Sequence, residues 1–204
     1  DAETVKDSGS RNQVAEEAQK PEKGKFYVGH ILHPLFRDGI RTLAYEIAEQ
    51  FNWQIPHRIY LPVSAGTLLL GIIKGFKHLF ESKIVRSMPK IVACQTQQVS
   101  PLYHSFKNLR YVPPKKITSI ADALVSVNPP LLRLMTENLK EVKGEAVLVT
   151  EEEIQKLVML LNMSSELEKT YHWKEDLIQW YDCWCIMFHK CNRRYFLIYL
   201  CWKC

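Results

Sequence analysis

The sequence predicts an α/β fold with a mostly parallel sheet and helices on both faces. Three short apolar runs, at residues 58–63, 89–96 and 145–149, are expected to be buried strands. Helical patterns lie between them, and this alternation is typical of parallel strands joined by crossover helices. Of the 204 residues, 47% are hydrophobic and 24% are charged, so the chain can bury a sizeable core.

Residues 1–25 are polar, and we expect them to be the remnant of a preceding domain. Val14, Ala15 and Ala18 are placed to line one side of a short helix, which Pro21 would end. A domain that began here would have little apolar surface to bury. We therefore expect the chain to start inside a longer protein.

The segment after Pro34 predicts a single amphipathic helix with Asp38 as its N-cap, because a carboxylate at that position accepts bonds from free amides. Apolar residues recur at i, i+3, i+4, i+7 and i+11. They are Ile40, Leu43, Ala44, Ile47 and Phe51.

Residues 58–77 contain the clearest change of period in the chain. An apolar run comes first, the small residues Ser64, Ala65 and Gly66 permit a tight turn, and helical spacing begins at Thr67. Such a helix directs its free amide groups and positive dipole end above the strand, which suits phosphate. An ordinary β-to-α connection fits the same pattern, because the loop is neither a G-x-G-x-x-G fingerprint nor a P-loop.

The rest of the chain predicts further helices and one more strand. Helices are expected over residues 101–108 and 131–142, before the strand at 145–149. Thr150 and the glutamate three residues later form a capping box that begins a helix over residues 151–163.

Two residues of the second strand carry separate expectations. Cys94 is expected to be a small buried hydrophobic side chain. Gln95 is expected to bond backbone groups, the alternative being an orientation toward the small-residue loop.

Charge and hydropathy exclude some partners. The net charge is +5, but 27 basic and 22 acidic residues are mixed along the chain, so no nucleic-acid partner is expected. No apolar run approaches the roughly 18 residues that span a bilayer, so we expect no membrane partner and a cytoplasmic location.

Residues 164–204 form an atypical tail rich in cysteine and tryptophan. A zinc site is one interpretation, because thiolates and an imidazole are soft ligands. The ligands would come from Cys183, Cys185, His189, Cys191, Cys201 and Cys204. A frameshifted or readthrough extension is the favoured interpretation, a natural capping helix is a third, and the expected metal content is none.

Motifs in a fixed order resemble the pyridoxal-phosphate enzymes of the tryptophan synthase β superfamily, fold type II. Within that superfamily they are most similar to the threonine synthases. The resemblance covers about residues 14–162. The motifs are HPLFRDGIRTLAYEI, PVSAGTLLLGIIKGF, PKIVACQTQQVSPL, SIADAL and TEEEIQKLVMLL.

The resemblance implies a pyridoxal phosphate cofactor and a small amino-acid substrate. It implies conversion of O-phosphohomoserine to threonine and phosphate, and a homodimer for a complete enzyme. Asp38 and Thr42 are weaker candidates for positions near the substrate. The backbone amides that would hold the cofactor phosphate are those of Ser64, Ala65, Gly66, Thr67 and Leu68.

The resemblance also implies a partial large domain, residues 26–163. In the family the Schiff-base lysine precedes the matched region, so we expect a C-terminal fragment that is inactive alone and has no identifiable catalytic residue. Ser64 stands where the family has glycine, which adds a Cβ to the loop. Two alternatives stay open: a threonine or serine dehydratase of the same superfamily, and a non-catalytic zinc-binding module organised by the tail.

Overall fold

Parallel strands form the centre of the fold in a computed structural model, which describes residues 11–20, 24, 27–156 and 195–197. The strands are β1 (Arg58–Pro62), β2 (Lys90–Thr96), β3 (Glu145–Val149) and β4 (Tyr195–Leu197), in the order β3-β2-β1-β4. All their pairings are parallel, which confirms the α/β class and the three predicted strands. The short β4 was not predicted, and it lies within the segment interpreted as a tail.

The strand register aligns the ends of β1, β2 and β3. Pro62 is paired with Cys94 in β2, and Thr96 is paired with Val149 in β3. The segments that follow the three strands, residues 63–66, 97–100 and 150, therefore meet at one edge of the sheet. We call this edge the carboxyl edge, and it is where parallel sheets ordinarily carry their ligands.

Helices surround the sheet in the positions that the sequence predicts, with one exception described below. They are α1 (Arg11–Ala18), α2 (Pro34–Ile40), α3 (Thr42–Gln50), α4 (Thr67–Glu81), α5 (Pro101–Phe106) and α6 (Leu132–Glu141), with a 3₁₀ turn at Asp122–Leu124. Residues 151–156 are also helical, and the remainder of the predicted helix lies outside the described residues. No helix in the described part of the chain is long and apolar enough to cross a membrane.

The prediction of Asp38 as an N-cap is wrong. The helix begins earlier, at Pro34, which suits the first helical position because it has no amide hydrogen to satisfy. His33 is the N-cap, and its Nδ1 accepts a hydrogen bond from the Leu35 amide at 3.3 Å. Asp38 lies inside α2.

The single helix predicted after Pro34 is in fact two helices, which meet at Arg41. The Gly39 carbonyl accepts a hydrogen bond from the Thr42 hydroxyl at 3.0 Å and also faces the Arg41 amide. A side-chain donor that enters the regular series of backbone bonds interrupts a helix in this way.

Two glycines of α4 allow α2 and α3 to pack close to its backbone. A Cβ at Gly71 would lie 2.6 Å from Ile40 Cγ2, and a Cβ at Gly75 would lie 2.5 Å from the Arg41 carbonyl oxygen. The junction between α2 and α3 therefore lies directly against α4, the helix that carries the predicted phosphate loop.

The core lies between β2 and the helices. Every residue of β2 from Ile91 to Thr96 is buried, as expected for a strand covered on both sides. Each large aliphatic side chain buried here contributes about 1.5–3 kcal/mol. The largest fully buried apolar side chains are Ile59, Leu61, Leu69, Ile72, Ile73, Phe76, Ile91, Leu102, Met135, Leu139 and Ile154.

A charge cluster links the amino ends of the first three strands. Glu145, which begins β3, accepts a hydrogen bond from Arg58 Nη1 at 3.1 Å and another from Lys90 Nζ. The bond from Lys90, together with the charge of Arg58, holds the pKa of the Glu145 carboxyl below its usual value. The cluster lies at the edge of the sheet opposite the carboxyl edge.

The predicted domain boundaries at residues 25 and 163 fall on residues outside the described ranges, so they stay predictions.

Candidate functional site

The segment from β1 to α4 has the strand, loop and helix that the sequence predicts. Gly66 is the N-cap of α4 and has a φ of 96°, a left-handed conformation that favours glycine. Among the residues that the structure describes, no side chain caps this helix. The 15-residue α4 therefore begins at the carboxyl edge, and no described side chain offsets its positive dipole end.

The amides of this loop have no acceptor within the described residues. The first backbone bond at the start of α4 runs from the Leu70 amide to the Gly66 carbonyl, at 3.0 Å. Among the described residues, no acceptor is bonded to the backbone amides of Ser64, Ala65, Gly66, Thr67 and Leu68. Free donors at a helix N-terminus are the usual elements of an anion site.

Met135 of α6 packs against the loop at Gly66. A Cβ at Gly66 would lie 2.2 Å from Met135 Sδ, so a larger residue there would force this fully buried side chain to shift. Sequence reasoning missed Met135, because nothing in its local pattern relates it to a loop so far away in the chain.

Gln95 bridges the loop to α5. Its Nε2 donates a hydrogen bond to the Val63 carbonyl at 3.3 Å, and its Oε1 accepts one from the Tyr103 amide at 3.0 Å. The expectation that Gln95 bonds backbone groups is confirmed, and one of these groups directly precedes the loop.

The loops after β2 and β3 complete the carboxyl edge. The Thr96 hydroxyl accepts a hydrogen bond from the Val99 amide at 3.1 Å, and the Gln97 amide donates to the Val149 carbonyl at 2.9 Å. Residues 118–120, which we call the crossing segment, also lie here, since Gln98 Oε1 accepts a hydrogen bond from the Thr118 amide at 2.9 Å.

The predicted capping box is confirmed. The Glu153 amide donates to the Thr150 hydroxyl at 3.2 Å, and the Thr150 amide donates to Glu153 Oε2 at 2.9 Å. The neighbouring Glu151 accepts a hydrogen bond from the Ile120 amide at 3.1 Å, which ties the crossing segment to the residues that follow β3.

Asp38 and Thr42 form contacts between helices. Lys74 of α4 donates to the Asp38 carboxylate, and this bond lowers the pKa of the carboxyl. The Thr42 hydroxyl donates to Gly39, as described above. These contacts give both side chains a structural role beside α4, and their proximity to a substrate stays a prediction.

Cys94 is confirmed as a buried hydrophobic side chain. Burial raises the pKa of its thiol to about 12, which leaves almost no thiolate at neutral pH. Residues 27–156 and the other described positions contain no cluster of three metal-ligating side chains. The cysteines and histidine of the proposed zinc site lie outside the described residues.

This geometry fits a phosphate group, which needs several hydrogen-bond donors and a favourable local potential. Five adjacent amides and the dipole of α4 supply both. Comparison with known proteins gives the same indication, because the sequence profile described as "Pyridoxal-phosphate dependent enzyme" matches residues 2–166. The chain belongs to this family.

Relatives within the pyridoxal-phosphate family include two threonine synthases. The enzyme of Methanocaldococcus jannaschii is 31% identical over 137 residues, which are 66% of this chain and 34% of that protein. The chloroplastic threonine synthase 2 of Arabidopsis thaliana is 30% identical over 131 residues, 63% of this chain and 25% of that protein. The chain thus spans about a third or less of the length of these relatives. The resemblance seen in the motifs is confirmed.

Solved structures share the fold. The L-serine ammonia-lyase of Rhizomucor miehei has a TM-score of 0.52 and 23% identity, covering 66% of this chain and 40% of that chain. The processed threonine deaminase isoform 2 of Solanum lycopersicum has a TM-score of 0.53 and 19% identity, covering 72% and 36%. These likenesses are to the fold type II pyridoxal-phosphate enzymes, and they concern the fold alone.

Proposed function

We propose that the loop from Ser64 to Leu68 binds the phosphate group of pyridoxal phosphate. The observation that carries this proposal is the set of adjacent amides without an acceptor among the described residues, at the start of α4. Membership of a pyridoxal-phosphate family supports the identity of the anion. The amides would donate to the phosphate oxygens, and the dipole of α4 would favour their negative charge.

The cofactor, when bound, acts as an electron sink for carbanions formed on an amino-acid substrate. The part of this chain is to bind and orient the cofactor. Ser64 and its neighbours hold the cofactor at its phosphate end. The crossing segment, which is bonded to Gln98 and Glu151, borders the carboxyl edge on another side.

We further infer that the reaction is that of a threonine synthase, which converts O-phosphohomoserine to threonine and phosphate. Two relatives with this name, at 30% and 31% identity, support this assignment. The runner-up is a threonine or serine dehydratase, favoured by the fold likeness to a threonine deaminase and a serine ammonia-lyase. Both reactions take a small amino acid as substrate.

The phosphate site is tested by titrating the 204-residue chain with pyridoxine 5′-phosphate in a calorimeter. This probe has no aldehyde, so it cannot react with surface lysines. We expect it to bind, and we expect pyridoxine without phosphate to bind at least about ten-fold more weakly, because charge-assisted bonds to the amides are lost.

The matched variants are Ser64→Asp and Ser87→Asp, which add the same charge at opposite edges of the sheet. The first places a carboxylate among the loop amides and should weaken binding by about ten-fold or more. It should not unfold the protein, because a carboxylate at a helix N-terminus is stabilising by about 0.3–1 kcal/mol. Ser87 is exposed before β2, and its variant should bind like the wild type. Equal affinities for Ser64→Asp and wild type would overturn the proposal.

The reaction type is tested by assaying the protein that carries this sequence with a panel of substrates. Release of phosphate from O-phosphohomoserine with formation of threonine supports the proposal. Release of ammonia from threonine or serine, without turnover of O-phosphohomoserine, favours the dehydratase.

A further inference from the structure

We infer that Gln95 is a positioning residue, which sets the direction of the loop amides by holding Val63 and α5 at a fixed distance. This inference rests on the proposed phosphate site. Gln95 is 1% exposed, and it is the only glutamine or asparagine among the buried polar residues of the described chain. Its two bonds end on backbone groups of different elements.

A primary amide is the side chain that these two partners require. The Val63 carbonyl needs a donor, and the Tyr103 amide needs an acceptor. A carboxylate would satisfy Tyr103 only, and an apolar side chain would satisfy neither. Leaving a buried backbone group without its bond costs about 1–3 kcal/mol, so both partners would move if the amide were lost.

Val63 is held at both of its backbone groups by adjacent residues of β2. Its amide donates to the Cys94 carbonyl at 2.9 Å, and its carbonyl accepts from Gln95. The peptide that links Val63 to Ser64 is therefore fixed at the point where the loop starts. Gly66 is fixed in turn by its contact with Met135. Between these two supports only Ser64 and Ala65 are left to adjust.

The experiment compares Gln95→Met with Ile47→Ala. Gln95→Met keeps an unbranched side chain of similar length and removes both hydrogen bonds. Ile47 is buried in the core from α3, which supplies none of the contacts described above for the loop. Its variant should lower the melting temperature through a cavity, so it controls for a general loss of stability.

Two measurements are made on each folded variant. The first is the dissociation constant for pyridoxine 5′-phosphate, which we expect to rise about ten-fold in Gln95→Met and to stay unchanged in Ile47→Ala. The second uses the ligand-free protein and follows amide hydrogen exchange at Val63 and Leu70, whose bonds to Cys94 and Gly66 lie on either side of the loop. Exchange there should accelerate about ten-fold in Gln95→Met only.

Gln95→Glu provides a conservative rescue. A buried carboxyl has a raised pKa, and in its protonated form it donates to Val63 and accepts from Tyr103 as the amide does. We expect this variant to bind more tightly than Gln95→Met. The ratio of its dissociation constant to that of the wild type should fall toward one as the pH is lowered from about 8 to about 6, because the carboxyl becomes protonated.

The outcomes separate this inference from the proposed function. Wild-type binding combined with unchanged affinity and exchange in Gln95→Met would overturn the role of Gln95 and leave the phosphate site standing. Failure of the wild type to bind the probe would overturn the phosphate site, and the exchange data alone would then decide whether Gln95 positions the loop. Equal effects in Ile47→Ala would mean that Gln95 contributes only to general stability, and this result would also overturn the inference.

Discussion

Gly66 combines a backbone requirement with a packing requirement. Its φ of 96° costs a residue with a Cβ about 1 kcal/mol or more, and the space that a Cβ needs is filled by Met135. Glycine at this position therefore lets α4 start at Thr67, shortly after β1 ends at Pro62, while Met135 of α6 packs close to the loop.

We predict that Gly66→Ala lowers the free energy of unfolding by about 2–4 kcal/mol, from strain together with overpacking. Urea unfolding measures the loss. The matched control is Gly39→Ala, which adds the same methyl group inside α2, where no atom of the described residues lies within 4 Å of it. Alanine has the higher helix propensity, so the control should gain about 0.5–1 kcal/mol. A loss of similar size in both variants would contradict the role given to Met135.

The thiol of Cys94 should be inert in the folded protein. With a pKa of about 12, roughly one molecule in ten thousand carries the reactive thiolate at about pH 8. Labelling with iodoacetamide, followed by mass spectrometry of the peptide that contains Cys94, should show modification in guanidinium chloride and almost none in buffer. Rapid labelling of the folded chain at this peptide would show that β2 opens easily.

Among the elements, those set by local signals were predictable and those set by tertiary contacts were not. The apolar run of β2 and the Thr150 capping box carry their information within a few residues, and both are found where the sequence places them. The break at Arg41 depends on where the Thr42 hydroxyl bonds, and β4 depends on an available edge of β1. Neither leaves a periodic pattern in the sequence.

The candidate site divides in the same way. The strand, the small-residue loop and α4 follow from a change of period, so the loop amides were predictable. The supports from Gln95 and Met135 come from β2 and α6, and their geometry depends on how those elements pack. For Gln95 the residue type alone gave a signal, because a buried amide must find partners.

Glu145, which links the amino ends of β1, β2 and β3, should make the stability of the fold depend on pH. Its pKa is lowered in the folded state, so its contribution to stability is present above its unfolded pKa and is lost as the pH falls through the folded pKa. Its side chain is 39% exposed, and water screens the pairs with Lys90 and Arg58. We therefore expect Glu145→Gln to cost only about 0.5–1 kcal/mol near pH 7.

Urea unfolding at neutral and at acidic pH measures the contribution of the Glu145 charge to the free energy of unfolding. The difference between wild type and Glu145→Gln should shrink toward zero in acid, below the folded pKa. Glu137→Gln on α6 is the control, since its pair with Arg133 is far more exposed and should contribute little at any pH. A difference that persisted in acid would mean that Glu145 acts through packing and not through charge.

For the molecule as a whole, binding at the loop should raise the stability of the complete fold, because α4 connects the site to the core. A ligand at about 100 times its dissociation constant adds about 2.7 kcal/mol. For a domain of this size this corresponds to a rise of roughly 5–11 °C in the melting temperature. We expect this rise with pyridoxine 5′-phosphate and little change with pyridoxine. Equal shifts with both compounds would indicate that the pyridine ring, and not the phosphate, is recognised.

The two edges of the sheet carry different chemistry, with charged side chains on Arg58, Lys90 and Glu145 at one edge and backbone amides at the other. A five-residue strand separates them by roughly 17 Å, about twice the screening length in physiological salt. Charge added beside Lys90 to improve solubility should therefore leave the affinity of the opposite edge for an anion unchanged. An engineer can adjust one property of this protein without retuning the other.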